Sequence, residues 1–271
     1  MKLFKQTLSV LLAVLLLGCT ALVAFAAEGD ITVSMRVEGI KDCLFYGDVT
    51  VADGATALDA LKAADAASDD LTLTVTESEY GAYLAGINGV FAGSQTTKGW
   101  DGWMFRVNDA SVSVGIDACT VKDGDKVVVY YSDEFGETGM MYPVMDDSKL
   151  GEGKLSFTSV VTEYDENWNA VEKTVPVTGY TLIWDGQKIT PDEAGVATLT
   201  AAQLDAGDHS VQIERYAENG LPTVLRFAPD YTVTIEAKEE PAQQNFFAKL
   251  LNAIKTFFQK IIDFFKGLFN K

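Results

Sequence analysis

Residues 96–110 read TTKGWDGWMFRVNDA, and this stretch decides how the first half of the chain is interpreted. Trp103 opens a strand-like run that reaches a turn signal at Asn108-Asp109. An aromatic residue at the start of a strand usually belongs to the core, so Trp103 is interpreted mainly as framework. Trp100 lies in a loop flanked by glycine, where a large ring is harder to bury. It is therefore a candidate for surface recognition, with loop packing as the alternative.

The segments around this stretch predict a small, mainly β domain over residues 30–140. Residues 30–38 and 45–53 alternate polar and apolar side chains, as strands do. An alanine-rich helix follows, and Thr56 and Asp59 have the spacing of a capping box before it. Further strand-like runs follow up to residue 132, with a turn signal at Asn88-Gly89. Because one helix accompanies several strands, the predicted fold class is α+β.

The texture changes at Lys154, after which only strand-like runs are found up to Ala237. Short strands separated by Gly, Asp, Asn and Pro are typical of a β-sandwich. Trp168 and Trp184 are interpreted as residues of this sandwich, and residues 141–153 as the hinge before it. The stretch AGDHSVQIERYAENGLPTVLRF, residues 206–227, resembles bacterial immunoglobulin-like or carboxypeptidase-regulatory-like modules.

The first 26 residues have the features of a signal peptide. Lys2 and Lys5 precede a long apolar stretch, and Ala24-Phe25-Ala26 is the small-x-small pattern of a cleavage site. We expect export, with cleavage after Ala26 and a place outside the cell or at its surface. The alternative is a lipobox ending at Cys19, which would make Cys19 a lipidated terminus.

Cleavage would leave two cysteines, Cys43 and Cys119, in a compartment that permits oxidation. An even number of thiols is what a disulfide requires, so a Cys43–Cys119 pair is expected. Two buried free thiols are the alternative.

The net charge of −18 is unevenly distributed. The leader holds two lysines and no acid, and residues 245–271 hold five lysines and one aspartate, so residues 27–244 carry −24. Such acidity excludes a nucleic-acid-binding body, because phosphate contacts need positive side chains.

After a polar linker at residues 238–244, residues 245–271 place apolar side chains at helical spacing with lysines on the other face. A lysine every five or six positions argues against a bilayer span. The segment Phe246–Lys271 instead predicts an amphipathic helix on an anionic membrane surface. Self-association, or docking on the acidic body, is the alternative.

Nothing in the sequence favours catalysis or a metal site. The chain has one histidine, His209, so neither a histidine-based triad nor a multi-histidine metal site can be built. His209 is expected at a strand edge. KDGDK and DENWN do not fit the EF-hand pattern, and no glycine motif for phosphate is present. We therefore expect no enzyme activity and no cofactor.

An ordered set of short motifs in residues 31–131 resembles the C-terminal domain of transcobalamin and intrinsic factor, as it occurs in bacterial surface proteins. The matching residues are Ala57, Leu58, Ala60, Leu61, Ile87-Asn88-Gly89, Trp103 to Asn108, Gly115 and Asp123-Gly124-Asp125. The family's usual VNG is Val107-Asn108-Asp109 in this chain. The resemblance implies a mainly β domain and a ligand such as cobalamin or another corrinoid.

Two functional hypotheses follow. The first is an exported, non-enzymatic surface protein that binds a corrinoid through an aromatic site in its first domain. The candidate ligand-binding residues are Trp100, Trp103, Phe105, Asn108 and Tyr83, and Tyr80 and Phe91 could join the same aromatic cluster. The second is a structural or adhesive surface module that binds protein or glycan.

Overall fold

The computed structural model of the chain describes residues 29–79, 81–136, 138–237, 249–256 and 259. Its helix α1, Ala57–Ala67, confirms the predicted capping box. The Thr56 hydroxyl accepts from the Asp59 amide, and the Asp59 carboxylate accepts from the Thr56 amide. Leu58 and Leu61 are among the residues that α1 buries. The helix therefore starts at a fixed point and packs one face on the sheet beneath it.

That sheet has five strands in the order β2-β1-β8-β6-β7, and β1 and β8, which are parallel, lie at its centre. A second sheet has the order β3-β4-β5. The strands of this domain are β1 Asp30–Glu38, β2 Cys43–Ala52, β3 Leu73–Ser78, β4 Gly81–Ile87, β5 Val90–Phe91, β6 Gly102–Val107, β7 Ala110–Ser111 and β8 Lys126–Ser132.

Two hairpin turns that the sequence marks are present. Asn88 and Gly89 connect β4 to β5, and Asn108 and Asp109 connect β6 to β7. All four have positive φ, which two-residue hairpin turns of this kind require. Asn108 also bonds to its neighbours, since its amide donates to Asp125 and its oxygen accepts from the Lys126 amide.

The second domain is built from two further sheets that share one core. One holds β11-β10-β14, with β9 pairing β10, and the other holds β13-β12-β15-β16. Leu155 and Phe157 of the first meet Leu182, Trp184 and Ile213 of the second. The strands are β9 Val144–Asp146, β10 Lys154–Tyr164, β11 Ala170–Pro176, β12 Thr181–Trp184, β13 Gln187–Ile189, β14 Val196–Thr198, β15 Gly207–Glu214 and β16 Thr232–Ile235. The described chain is thus mainly β with more than one core, and the immunoglobulin-like topology stays a prediction.

Residues 141–153, predicted as a hinge, are structured. Val144–Asp146 forms β9, which pairs with β10, and Met141 and Met145 pack against the second core. The second domain therefore begins before Lys154, because apolar side chains of the expected linker are used in its core.

The two domains meet in a junction that the sequence did not indicate. Arg226 of the second domain donates to the Glu38 carboxylate of β1 at 2.6 and 2.9 Å, and Arg36 donates to the Arg226 carbonyl at 2.9 Å. Leu225 packs on Val128 and Tyr130 beside this cluster. Buried charges are tolerated where they are paired in this way. The junction is therefore a specific contact between the two domains.

The expected disulfide is absent: Cys43 and Cys119 are both free. Cys43 begins β2, whereas the Cys119 carbonyl accepts from the Ala57 amide, beyond the other end of β2. A ten-residue strand is about 30 Å long, and a disulfide needs Cα atoms within about 7 Å. Burial raises the pKa of the Cys43 thiol to about 12, so this thiol stays protonated at neutral pH.

The two tryptophans assigned to the sandwich differ. Trp184 is fully buried, donates to the Gln203 carbonyl at 3.0 Å and stacks on His209, which lies near the start of β15. Trp168 lies in the turn between β10 and β11 of the second domain, but it is 83% exposed and takes no part in the core. A Trp in a strand-rich sequence favours the core by hydrophobicity alone, but this one follows the end of its strand.

Of the predicted C-terminal helix, residues 249–256 and 259 are described and are helical. The signal peptide, the 238–244 linker and the rest of the predicted helix lie outside the described residues. Within the described ranges, no helix has the length and apolar character needed to cross a membrane.

Candidate functional site

An apolar cleft of about 280 Å³ lies along β6 in the first domain. Strand β7 pairs with β6 only at Arg106 and Val107. Residues 102–105 of β6 have no strand partner on that side in the described sheet. Residues 103–105 line the cleft from β6, residues 82–84 from β4, and Ser111 from β7. Residues 112 and 114–116 line it from the loop after β7. The cleft therefore occupies the space that a longer β7 would fill.

The walls of the cleft are tied to the framework. The Asp117 carboxylate accepts from the Ala82 amide at 2.7 Å, which joins the 112–118 loop to the start of β4. The Ile116 carbonyl accepts from the Leu58 amide at 3.0 Å, which joins the same loop to α1. Because Ile116 and Asp117 are hydrogen-bonded to α1 and β4, this part of the wall is in place before any ligand arrives.

Trp103 forms the floor of the cleft. It is almost completely buried, its indole N–H donates to the Val90 carbonyl at 2.9 Å, and its ring meets Tyr131 edge to face with centroids 5.2 Å apart. Its partly buried neighbour Phe105 packs against the same core while also lining the cleft. Trp103 thus serves mainly as framework, and Phe105 presents one face to the cavity.

Exposed apolar side chains surround the mouth of the cleft. Tyr83 is 54% exposed, Phe135 is 72% exposed and Val114 is 49% exposed. Exposed apolar side chains grouped around a concavity often mark a binding site. These three residues are the side chains that an entering ligand would meet first.

Glu134 and Tyr130 form the polar end of the cleft, and the Tyr142 hydroxyl is hydrogen-bonded to both. Glu134 accepts from the Tyr142 hydroxyl at 2.5 Å and from the Tyr130 hydroxyl at 3.0 Å. Burial raises the pKa of both tyrosines, so both remain protonated donors. The Arg106 guanidinium lies 3.7 Å from the centroid of the Tyr142 ring, in a cation–π contact. This end can therefore exchange hydrogen bonds with a neutral polar group.

The second domain holds part of this polar end. The Tyr142 amide donates to the buried Ser159 hydroxyl of β10 at 3.1 Å, and Met104, Met140 and Tyr142 pack with the cluster around Leu225. The domain junction therefore orients a residue of the site.

The other predicted site residues are placed elsewhere. Trp100 is 59% exposed with the Lys98 ammonium 5.6 Å from its ring centroid, and it does not line the cleft. Its loop is held by Asp101, which accepts from Tyr131 and from residues 95 and 96; these hydrogen bonds outweigh the effect of burial and lower the pKa of the Asp101 carboxyl. Asn108 serves the β6–β7 turn, Phe91 lies outside the cleft, and Tyr80 lies outside the described residues.

The structure thus brings Tyr83, Trp103 and Phe105 together and separates Trp100 and Asn108 from them. Sequence reasoning missed Glu134, Phe135, Tyr130 and Tyr142. For all but Tyr142 the available signal was the run YYSDEF, residues 130–135, in which aromatic and acidic side chains lie at and just after the end of a buried strand.

Comparison with known proteins gives matches to part of the chain. A family described as a domain of unknown function, DUF4430, matches residues 54–133. The structure of haptocorrin in complex with Cbi is 24% identical, with a TM-score of 0.35, covering 40% of this chain and 26% of that chain. A protein from Ruminococcus gnavus ATCC 29149, provisionally described as metal binding, is 14% identical, with a TM-score of 0.29, covering 38% of this chain and 96% of that one.

No curated protein matches the chain. The chain spans about a quarter of the haptocorrin chain that it matches. Haptocorrin is thus among the solved structures to which part of this chain is similar.

Proposed function

We propose that the first domain is a non-enzymatic binding module whose cleft holds the edge of a flat macrocycle with polar substituents, a corrinoid or a compound of similar shape. The observation that carries this proposal is the preformed aromatic cleft along β6 with a hydrogen-bonding carboxylate at one end. Apolar walls with a few polar groups that converge are the usual composition of small-molecule sites.

The polar groups of the cleft support binding better than catalysis. Both tyrosines hold their protons more tightly than in water, and Ser111 accepts from Arg106 at 2.8 Å instead of facing a base. A general base or nucleophile needs a group whose protonation can change near the working pH. The proposed role therefore needs no cofactor.

Equilibrium dialysis with cobinamide and with cobalamin tests this proposal. We expect binding by the unmodified protein and at least tenfold weaker binding by Tyr83→Ala and by Phe135→Ala, whose side chains lie at the mouth. Trp100→Ala is the matched control, because Trp100 is similarly exposed but lies outside the cleft. Failure to bind either corrinoid at millimolar concentration would show that the ligand is not a corrinoid.

The alternative function, adhesion to protein or glycan through the first domain, rests on the exposed Trp100 ring beside Lys98. It predicts the reverse pattern: Trp100→Ala abolishes attachment to cells, whereas the two cleft variants attach normally. The same three variants therefore separate the two functions.

We also propose that the protein is exported and lies close to a membrane through Phe246–Lys271. The described part of this segment is helical, and its Leu250, Leu251 and Ile254 are exposed. Lysines on the opposite face would meet anionic headgroups. Flotation with anionic liposomes should carry the whole chain, and a chain shortened at Pro241 should remain in solution. If both float or both sediment alike, the tail is not the membrane contact.

A further inference from the structure

The hairpin of β10 and β11 extends beyond its own sheet. β9 and β14 pair with β10 only at residues 154–158, so from Ser159 to Tyr164 its partner in the described sheets is β11 alone. We call residues 159–175 the arm. A two-stranded ribbon has little core of its own, so its side chains are available to something outside the domain.

One face of the arm carries a strip of exposed side chains that ends in two aromatic rings. Val160 and Tyr164 lie on the same face because they are separated by an even number of strand positions, with Thr174 and Ala170 opposite them. Both are exposed, and the Tyr164 ring lies 6.3 Å from the Trp168 ring at an angle of 45°. The pair forms a shallow, angled aromatic surface at the end of the arm, which we call the tip.

Trp168 occupies a backbone position that disfavours it. Its φ is +63°, the left-handed conformation that usually holds glycine or asparagine at the end of a three-residue hairpin loop. Large side chains at positive φ are uncommon, and an outlier of this kind is a reason to look for a role in contact or recognition.

The turn that holds Trp168 is strongly organised. The Asp165 carboxylate accepts from the amides of Asn167 and Asn169, both at 2.8 Å, and from the Asn169 side chain at 2.9 Å. The Trp168 amide donates to the Asp165 carbonyl at 3.0 Å. The backbone that carries Trp168 is therefore held in place before any partner arrives, which lowers the entropy cost of binding.

Charge and size restrict the partner. Carboxylates at residues 163, 165, 166 and 172 surround the tip, and the nearby Lys173 is paired with Glu163 at 3.4 Å. Anionic lipids, nucleic acids and acidic sugars would be repelled. Two rings offer at most about 500 Å², below the roughly 800 Å² per partner of a specific protein complex.

We infer that the tip binds an uncharged polysaccharide, with the apolar face of a pyranose ring stacked on Trp168 and its hydroxyls bonded to the exposed polar groups of the turn. The C–H groups of a sugar face carry partial positive charge and are attracted to the negative face of an aromatic ring. The area of the tip matches one or two sugar units. Such a site is separate from the cleft and does not depend on its ligand.

Depletion of the protein from solution by amorphous cellulose, insoluble mannan or insoluble xylan tests this inference, with polygalacturonate as the acidic counterpart. We expect retention on at least one of the three uncharged polymers and none on polygalacturonate. Trp168→Gly should bind at least tenfold more weakly, because glycine removes the ring and suits the positive φ, so the turn is kept. Tyr164→Ala should show a smaller loss, and Trp100→Ala, which alters the exposed tryptophan of the other domain, should bind normally.

Four results would overturn the assignment. They are failure of the unmodified protein to bind all three uncharged polymers, unchanged binding by Trp168→Gly, retention on phosphatidylcholine vesicles that Trp168→Gly abolishes, and a dimer in sedimentation that Trp168→Gly dissociates. The last two would assign the tip to a membrane or to a second copy. Near-ultraviolet circular dichroism of each variant verifies that the fold is intact.

Discussion

The cleft of the first domain and the tip of the second use the same kinds of side chain in opposite settings. In the cleft, Trp103 is buried and hydrogen-bonded, and the exposed rings only surround the opening. At the tip, Trp168 has no core to enter and is held by its turn. A concave site can select a ligand by shape as well as by contact area, whereas a convex tip can offer only stacking. The two regions should therefore differ in what their residues contribute to stability and to binding.

The largest effect on stability is expected at Trp103, the buried tryptophan of the cleft. Trp103→Ala should lower the free energy of unfolding by about 4 kcal/mol, because it removes a buried ring and leaves a cavity. Urea denaturation followed by circular dichroism measures this loss. A loss below about 1 kcal/mol would contradict the role of Trp103 as a framework residue of the first domain.

The next contrast compares a buried ion pair with an exposed one. Arg226→Ala should cost about 3 kcal/mol, since it leaves the Glu38 carboxylate buried at the junction without its cation. Lys173→Ala on the arm should cost less than about 1 kcal/mol, because the Glu163–Lys173 pair is more than half exposed. Equal losses of stability in the two variants, measured by thermal unfolding, would contradict the distinction between the buried ion pair at the junction and the exposed one on the arm.

A smaller, pH-dependent effect is expected inside the second domain. His209 lies 2.7 Å from the Asp185 carboxylate and 2.9 Å from the Asp205 carbonyl, and these hydrogen bonds raise the pKa of His209. Its contribution is fully present below the unfolded pKa of about 6.5 and is lost as the pH rises through the folded pKa. The midpoint of thermal unfolding should fall across that interval, and the fall should disappear in His209→Gln. Because the chain has one histidine, a slope that persists in this variant would refute the assignment.

The smallest effect, and the one of opposite sign, is expected at the tip. Trp168→Gly should leave stability unchanged or raise it by up to about 1 kcal/mol, because glycine adopts positive φ without strain. Urea denaturation of this variant beside Trp103→Ala gives the sharpest form of the comparison. A clear loss of stability would show that the Trp168 ring supports the fold.

What could be predicted from the sequence follows from the range of the interactions involved. Local signals were sufficient for the Thr56 capping box and for the turns at Asn88-Gly89 and Asn108-Asp109, because a few neighbouring residues determine them. Long-range placement was not accessible in the same way. Cys43 and Cys119 were paired by compartment and count, but β2 separates them. Trp168 and Trp184 were both interpreted as sandwich residues, and the sequence did not show that Trp184 is buried whereas Trp168 is exposed in a turn.

The cleft was predictable in part for the same reason. Tyr83, Trp103 and Phe105 were candidates because they lie near a recognisable motif, and the structure brings them together. Tyr142 reaches the site only through the junction, where it is bonded to Ser159 of the second domain and to Glu134 of the cleft. No local pattern encodes a contact between two domains.

Hydroxyl-radical footprinting with and without saturating cobinamide compares the two aromatic regions within one molecule and tests the binding cleft most directly. Tyr83 and Phe135 should be oxidised several-fold more slowly with the ligand, while Trp100 and Trp168 are oxidised at unchanged rates and serve as internal references. Protection of Trp100 or Trp168 without protection of Tyr83 and Phe135, or no protection at any of the four, would contradict the assignment of the cleft as the ligand site.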